Sequence, residues 1–211
     1  MDEYIKKECY KAMGVEINPG EIHTHKGVIA LIGPKGCGKS TAAGLLEGYG
    51  FITVKFAARL KEMLYAMGLT YEEIEGSLKE QPCGKLMGRT PRHAMQTLGT
   101  EWGRNCIGED FWVSLWQRQV RGMIEAGGRV VCDDLRFHNE FKAVKSMGGT
   151  VIRIAGRNED NGDAHESEAY YKYMPADVTV YNTGSVEDLR RNLLVAASLR
   201  SIYKPHEEYS T

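Results

Sequence analysis

The stretch Gly33-Pro34-Lys35-Gly36-Cys37-Gly38-Lys39-Ser40-Thr41 narrows the folds open to this chain more than any other feature of its sequence. It fits the phosphate-binding pattern GxxxxGK[ST], which works only between a buried strand and the first turn of a helix. Both flanks are present: Val28-Ile29-Ala30-Leu31-Ile32 is a short apolar run with β-branched residues, and Thr41-Ala42-Ala43-Gly44-Leu45-Leu46-Glu47 has helical composition. The chemistry accounts for the residue types. Gly33, Gly36, Cys37 and Gly38 let backbone N–H groups turn inward around phosphate oxygens, and the following helix adds its unpaired N–H groups and the positive end of its dipole. Lys39 is expected at the β- and γ-phosphates, Ser40 offers a hydroxyl to Mg2+, and Thr41 brings a second hydroxyl near the α-phosphate.

The chain of 211 residues is long enough for one sizeable core with an inserted lid. Hydrophobic residues at 42%, charged residues at 26% and a net charge of −1 describe an ordinary globular composition. A pI near 6.6 argues against broad electrostatic attachment to nucleic acid. The five cysteines are widely spaced and form no CxxC pair, which fits a reducing compartment without structural zinc. The opening MDEYIKKECYKAMG is charged and lacks an apolar core, and no window approaches a membrane span, so a cytoplasmic protein is expected.

Residues 2 to 13 carry apolar and charged side chains at helical spacing before Asn18-Pro19-Gly20, which reads as a helical extension and linker over 1–26 ahead of the main domain, 27–211. After the loop helix, Phe51 to Phe56 is a second strand and Ala58 to Gly68 a helix. Arg59 and Lys61 sit near its start, either holding an anion or solvated. Residues 77–91 form a polar loop broken by Pro82, Gly84, Gly88 and Pro91, and Thr90 then caps a helix running to Asn105. On that helix Arg92, Gln96, Thr100 and Arg104 recur every fourth residue as one polar ridge, opposite Met95, Leu98 and Trp102. A solvated face is normally richer in Glu and Lys, whereas this ridge suits a base and a phosphate.

Asp110 to Ala126 is an amphipathic helix with core aromatics, and Arg129-Val130-Val131-Cys132 is a buried strand ending in Asp133-Asp134. One of these acids can face Mg2+ while its neighbour points away, because strand side chains alternate. Arg136 follows where charge on a phosphate is best met. A helix through Lys145, a strand over Thr150–Ala155, a polar lid at about 156–168, a strand over Asp177–Tyr181, the turn Asn182-Thr183-Gly184-Ser185 and a terminal helix complete the chain. Five strands alternating with helices predict an α/β, three-layer α/β/α fold of the P-loop NTPase type, with a mainly parallel five-stranded sheet.

Together GPKGCGKST, FAARLKE from Phe56, TPRHAMQTLGTEWGR from Thr90, DLRFHNE from Asp134, the cluster His165-Glu166-Ser167-Glu168 and NTGSVEDL from Asn182 resemble phage-type deoxynucleoside monophosphate kinases, over roughly residues 27 to 200. The resemblance implies transfer of the γ-phosphoryl group of ATP, with Mg2+, to the 5′-phosphate of a deoxynucleotide. It implies that Lys39, Arg136 and Arg157 serve the transferring group and that Ser40 and Asp134, ahead of Asp133, hold the metal. It further places Asn182, Thr183 and Gly184 at ATP, and Lys61, Arg92, Gln96, Arg104, Asp134, Arg136, Glu140, His165 and Glu168 at the acceptor, whose region is about 56–110. Expected partners are small molecules without nucleic acid or membrane, and a homodimer is open. Two rival readings are a P-loop kinase acting on a modified base in DNA, which needs a basic groove, and a non-catalytic NTP switch, against which stands the Arg-rich ridge.

Overall fold

The computed structural model describes residues 27–156 and 173–197 together with the backbone of Val15–Ile17. In chain order these form β1 (Val15–Ile17), β2 (Val28–Ile32), α1 (Lys39–Glu47), β3 (Phe51–Thr53), α2 (Ala58–Ala66), α3 (Tyr71–Ile74) and α4 (Pro91–Gln96). There follow α5 (Phe111–Glu125), β4 (Arg129–Cys132), α6 (His138–Ser146), β5 (Thr150–Ala155), β6 (Val178–Tyr181) and α7 (Val186–Ala197). The expected N-terminal helix and the lid from Arg157 onward lie outside the described residues. Among the described residues no helix is long and apolar enough to cross a membrane.

The strands lie in the order β1-β6-β5-β2-β4-β3. β2 to β6 run parallel, as the alternation of strands and helices predicts. The expected sheet has five strands; the observed one has six, because Val15–Ile17, read as linker, pairs antiparallel with β6. This correction has a plain cause. Three residues carry no periodicity to detect, and their strand character comes from the edge they cover.

Between β2 and β4 the connections leave in opposite directions, one through α1 to β3 and the other through α6 to β5. Such a switch point opens a crevice at the carboxyl ends of the strands, where open α/β sheets bind ligands. One face of the sheet, with Ile29, Leu31, Val131, Ile152, Ile154, Val178 and Val180, packs on Ala42, Ala43 and Leu46 of α1 and on Leu189, Leu193 and Ala196 of α7. On the opposite face α6 packs against β2 and β5. Burying each large aliphatic side chain of this core contributes about 1.5–3 kcal/mol.

The chain divides into two compact units, one of residues 1–54 with 120–211 and one of residues 55–119. The second has its own core of Leu60, Leu64, Leu69, Ile74 and Trp112, against which Met95 and Leu98 pack. α3 precedes the long loop over 77–91, which is itself partly structured by short 3-10 turns at Ser77–Glu80 and Gly84–Leu86. The helix expected to Asn105 is α-helical only through Gln96 and continues in wider π turns over Thr97–Ile107. Trp112 reaches into those turns and donates Nε1–H to the Gly99 carbonyl at 2.8 Å, and a Cβ at Gly103 would overlap its indole.

Candidate functional site

β2 delivers the chain into the phosphate loop at Gly33, whose φ of 147° suits glycine. A Cβ there would strike the Ile154 carbonyl and come within 2.8 Å of the Cys37 sulfur. α1 begins directly after Gly38, whose φ is 103° and which supplies no side-chain cap. The first turn thus starts without a side-chain cap, an arrangement that suits an anion. Lys39 lies across the loop, its Nζ donating to the carbonyls of Gly33 and Pro34 at 2.8 Å each. The loop turns at Lys35-Gly36; Lys35, Gly36, Ser40 and Thr41 stay accessible, whereas Cys37 is buried. Burial pushes the Cys37 thiol pKa up against the opposing pull of Lys39, so this cysteine is an apolar filler of the loop.

The second part of the site comes from β4. Val131 pairs with Ile29 and faces α1 with it. Side chains alternate, so Asp133 returns to the α1 side and Asp134 does not. Accordingly Ser40 Oγ donates to Asp133 Oδ2 at 2.8 Å, and Asp133 is buried. The carboxylate beside the loop hydroxyl thus belongs to Asp133, the second choice for the metal, while Asp134, the first choice, is half-buried. A hydroxyl and a carboxylate are hard oxygen donors, the kind Mg2+ takes when phosphates and water complete its shell.

Arg136 is exposed just beyond that strand end. Glu140, expected at the acceptor, is buried, and its Oε2 accepts hydrogen bonds from the N–H groups of Arg136 at 2.8 Å and Phe137 at 3.1 Å. It shapes the backbone that carries Arg136. Asn182, expected at the nucleotide, is also buried, and its Nδ2 donates to the Cys37 carbonyl at 2.9 Å. Thr183 and Gly184 beside it are exposed. Arg157, His165 and Glu168 lie outside the described residues.

The unit of residues 55–119 holds the remaining candidates. Lys61 Nζ pairs with Glu75 at 2.6 Å, and Arg92 Nε pairs with Glu80 at 2.8 Å on a more exposed surface. Gln96 and Thr100 are exposed and Arg104 is half-buried, with Thr100 and Arg104 in the π turns, where a four-residue spacing no longer follows one face. Sequence reasoning missed Lys79. It is half-buried in the Ser77–Glu80 turn, which packs on both α3 and α4. Burial lowers its ammonium pKa; Glu75 and Glu80 oppose this, while the cations Lys61 and Arg92 add to it. In sequence Lys79 is one charge in a polar loop, and only the folding of that loop gathers it with Lys61 and Arg92.

A family model for deoxynucleotide monophosphate kinase matches residues 88–193. A protein of Acanthamoeba polyphaga mimivirus described under the same family name is 31% identical over 182 residues, covering 79% of this chain and 94% of that protein. The deoxynucleotide monophosphate kinase of Enterobacteria phage T4 is 30% identical over 99 residues, which is 46% of this chain and 41% of the phage protein. Among solved structures, shikimate kinase from Aquifex aeolicus superposes with a TM-score of 0.43 at 17% identity, over 80% of this chain and 94% of that one.

Proposed function

This chain belongs to the deoxynucleotide monophosphate kinase family, and on that premise we propose how its residues move the γ-phosphoryl group of ATP to the 5′-phosphate of a deoxynucleoside monophosphate. The reaction yields a deoxynucleoside diphosphate, a precursor for DNA synthesis. The observation that carries the assignment of the donor site is the meeting of Ser40 with Asp133 at 2.8 Å beside a phosphate loop spanned by Lys39.

The acceptor phosphate is already an anionic nucleophile, so no general base is required. What the protein supplies is alignment of two anions and neutralisation of charge at the transferring group. The N–H groups of the loop and of the first turn of α1 bind the donor phosphates. Lys39 exchanges its loop carbonyls for phosphate oxygens and meets the β- and γ-phosphates. Arg136 and Arg157 neutralise charge that develops on the transferring group. Ser40 and Asp133 would hold Mg2+, which when bound would screen the phosphate charges. On the acceptor side Lys61, Arg92 and Arg104 take the monophosphate, Lys79 adds a fourth positive charge close to Lys61 and Arg92, and Gln96 reads the base edge. The Arg92–Glu80 pair is solvent-exposed and worth at most about 1 kcal/mol, so Arg92 is readily lent to a phosphate. Residues 156–168 are assigned as a lid that closes over both substrates and excludes water from the transfer.

A panel of deoxynucleoside and ribonucleoside monophosphates, each with ATP and Mg2+ and scored by ADP release, tests the assignment. Activity on at least one deoxynucleotide is expected, and Lys39→Ala is expected to lower it by about a hundredfold or more because a preorganised charge at the transferring group is lost. Undiminished turnover by Lys39→Ala would overturn the donor site.

A further inference from the structure

Asn182, expected at the nucleotide, is buried against the phosphate loop, and its surroundings define a role. Its backbone N–H donates to the Ala155 carbonyl at 2.7 Å, which ties the turn after β6 to the end of β5. From that anchor the buried side chain reaches the underside of the phosphate loop, where Nδ2 donates to the Cys37 carbonyl at 2.9 Å. The same nitrogen occupies the space beside Gly38 so closely that a Cβ on Gly38 would lie 2.5 Å from it.

The Cys37 carbonyl and the Gly38 N–H belong to one planar trans peptide and point in opposite directions. Holding the carbonyl inward on Asn182 therefore turns the Gly38 N–H outward, away from the core, on the side where an anion binds. Glycine at 38 makes this peptide easy to rotate, since φ of either sign is accessible to it. Rotation would remove one donor from the loop and present a carbonyl oxygen to the phosphates instead, a change from attraction to repulsion.

We propose that Asn182 is a positioning residue that locks the Cys37–Gly38 peptide in its anion-binding orientation and does not itself contact the nucleotide. The inference rests on the reading of residues 33–41 as the ATP phosphate site. It also links that site to the neighbouring Thr183-Gly184 turn, because one residue anchors the turn with its backbone and the loop with its side chain.

The test compares ATP with inorganic tripolyphosphate as calorimetric probes of the full-length chain, because tripolyphosphate has the phosphates and lacks the base. Asn182→Leu removes the donor at similar volume and adds no charge. It is expected to weaken ATP and tripolyphosphate alike, by about 10- to 100-fold, while the KM for the deoxynucleotide changes less than about twofold. Weakening of ATP alone would mean a direct contact with the base and would overturn the proposal, as would unchanged binding of both probes. Should Asn182→Leu fail to fold, Asn182→Asp keeps the shape, loses the donor at neutral pH and carries the same comparison; retention of wild-type affinity by it would show that packing alone matters and would overturn the proposal. Lys39→Ala is the control for the underlying reading. If it leaves both affinities unchanged, the phosphate-loop assignment itself fails, whereas a loss there with Asn182→Leu unaffected sinks only the inference.

Discussion

Replacing Glu140 by alanine is expected to damage stability and turnover together, because this one carboxylate holds the backbone from which Arg136 projects. Its Oε2 receives the N–H groups of Arg136 at 2.8 Å and Phe137 at 3.1 Å just before α6, and the residue is 3% exposed. Hydrogen bonds to a charged acceptor are worth about 1.5–3 kcal/mol each when they cannot be replaced by water. Arg136 is exposed and its N–H can turn to solvent, so the Phe137 bond counts nearly in full and the Arg136 bond in part. The expected loss is about 2–3 kcal/mol, which in a chain of this size lowers Tm by about 4–12 °C. Turnover should fall by about tenfold or more with little change in the KM for ATP, since a misplaced group costs transition-state stabilisation more than ground-state binding. Glu140→Gln keeps an acceptor and loses only the charge, so it should cost about 1 kcal/mol. Urea melts with steady-state kinetics on the three proteins measure all of this. Wild-type stability in Glu140→Ala would refute the capping argument, and a destabilised variant with unchanged turnover would refute the link from Glu140 to Arg136.

Asp133→Asn should raise the Mg2+ concentration needed for half-maximal activity by about tenfold or more and Asp134→Asn by no more than about twofold, and the opposite ranking in a Mg2+ titration would return the metal site to Asp134. Arg92→Ala should raise the KM for deoxynucleotide far more than that for ATP, and Gln96→Ala should rerank the bases by about 1–3 kcal/mol; an unchanged ranking on the substrate panel would place Gln96 outside the pocket. Glu73 is held at a pKa of about 2, chiefly by the Lys85 ammonium at 2.8 Å and then by the Thr70 N–H at 2.6 Å and the Cys83 thiol at 3.2 Å. Its pKa is depressed on folding, so its contribution is fully present above the ordinary glutamate value of 4.5 and is lost as pH falls toward about 2. The stability gap between wild type and Glu73→Gln should therefore be flat near neutral pH and shrink below about 4.5, and urea melts showing a pH-independent gap would refute it.

Local pattern carried much of this protein. The apolar run at Val28–Ile32, the glycine spacing and the helix-forming residues after Lys39 are contiguous, so strand, loop and helix were legible together, as were the later strands that alternate with amphipathic helices. Less was legible where the signal was short or the geometry unusual. β1 is three residues long and exists because β6 has an edge to cover. The π turns over Thr97–Ile107 accommodate the Trp112 indole beside Gly99 and Gly103, a demand invisible in the spacing of the helix itself.

The sequence by itself determined that a glycine-rich loop of the phosphate-binding pattern at residues 33–41 follows a buried strand and that two adjacent acids end another, because each is a property of neighbours along the chain. Tertiary structure alone decided which acid meets Ser40, for that depends on the register of Val131 against Ile29 and on which face of the sheet α1 covers. It alone turned Asn182 inward to the Cys37 carbonyl and Glu140 inward to the Arg136 N–H, and gathered Lys79 with Lys61 and Arg92. A side chain's residue type says what bond it can make, but its partner in these cases stands up to 145 positions away, and only the packing of strands and helices brings the two within reach.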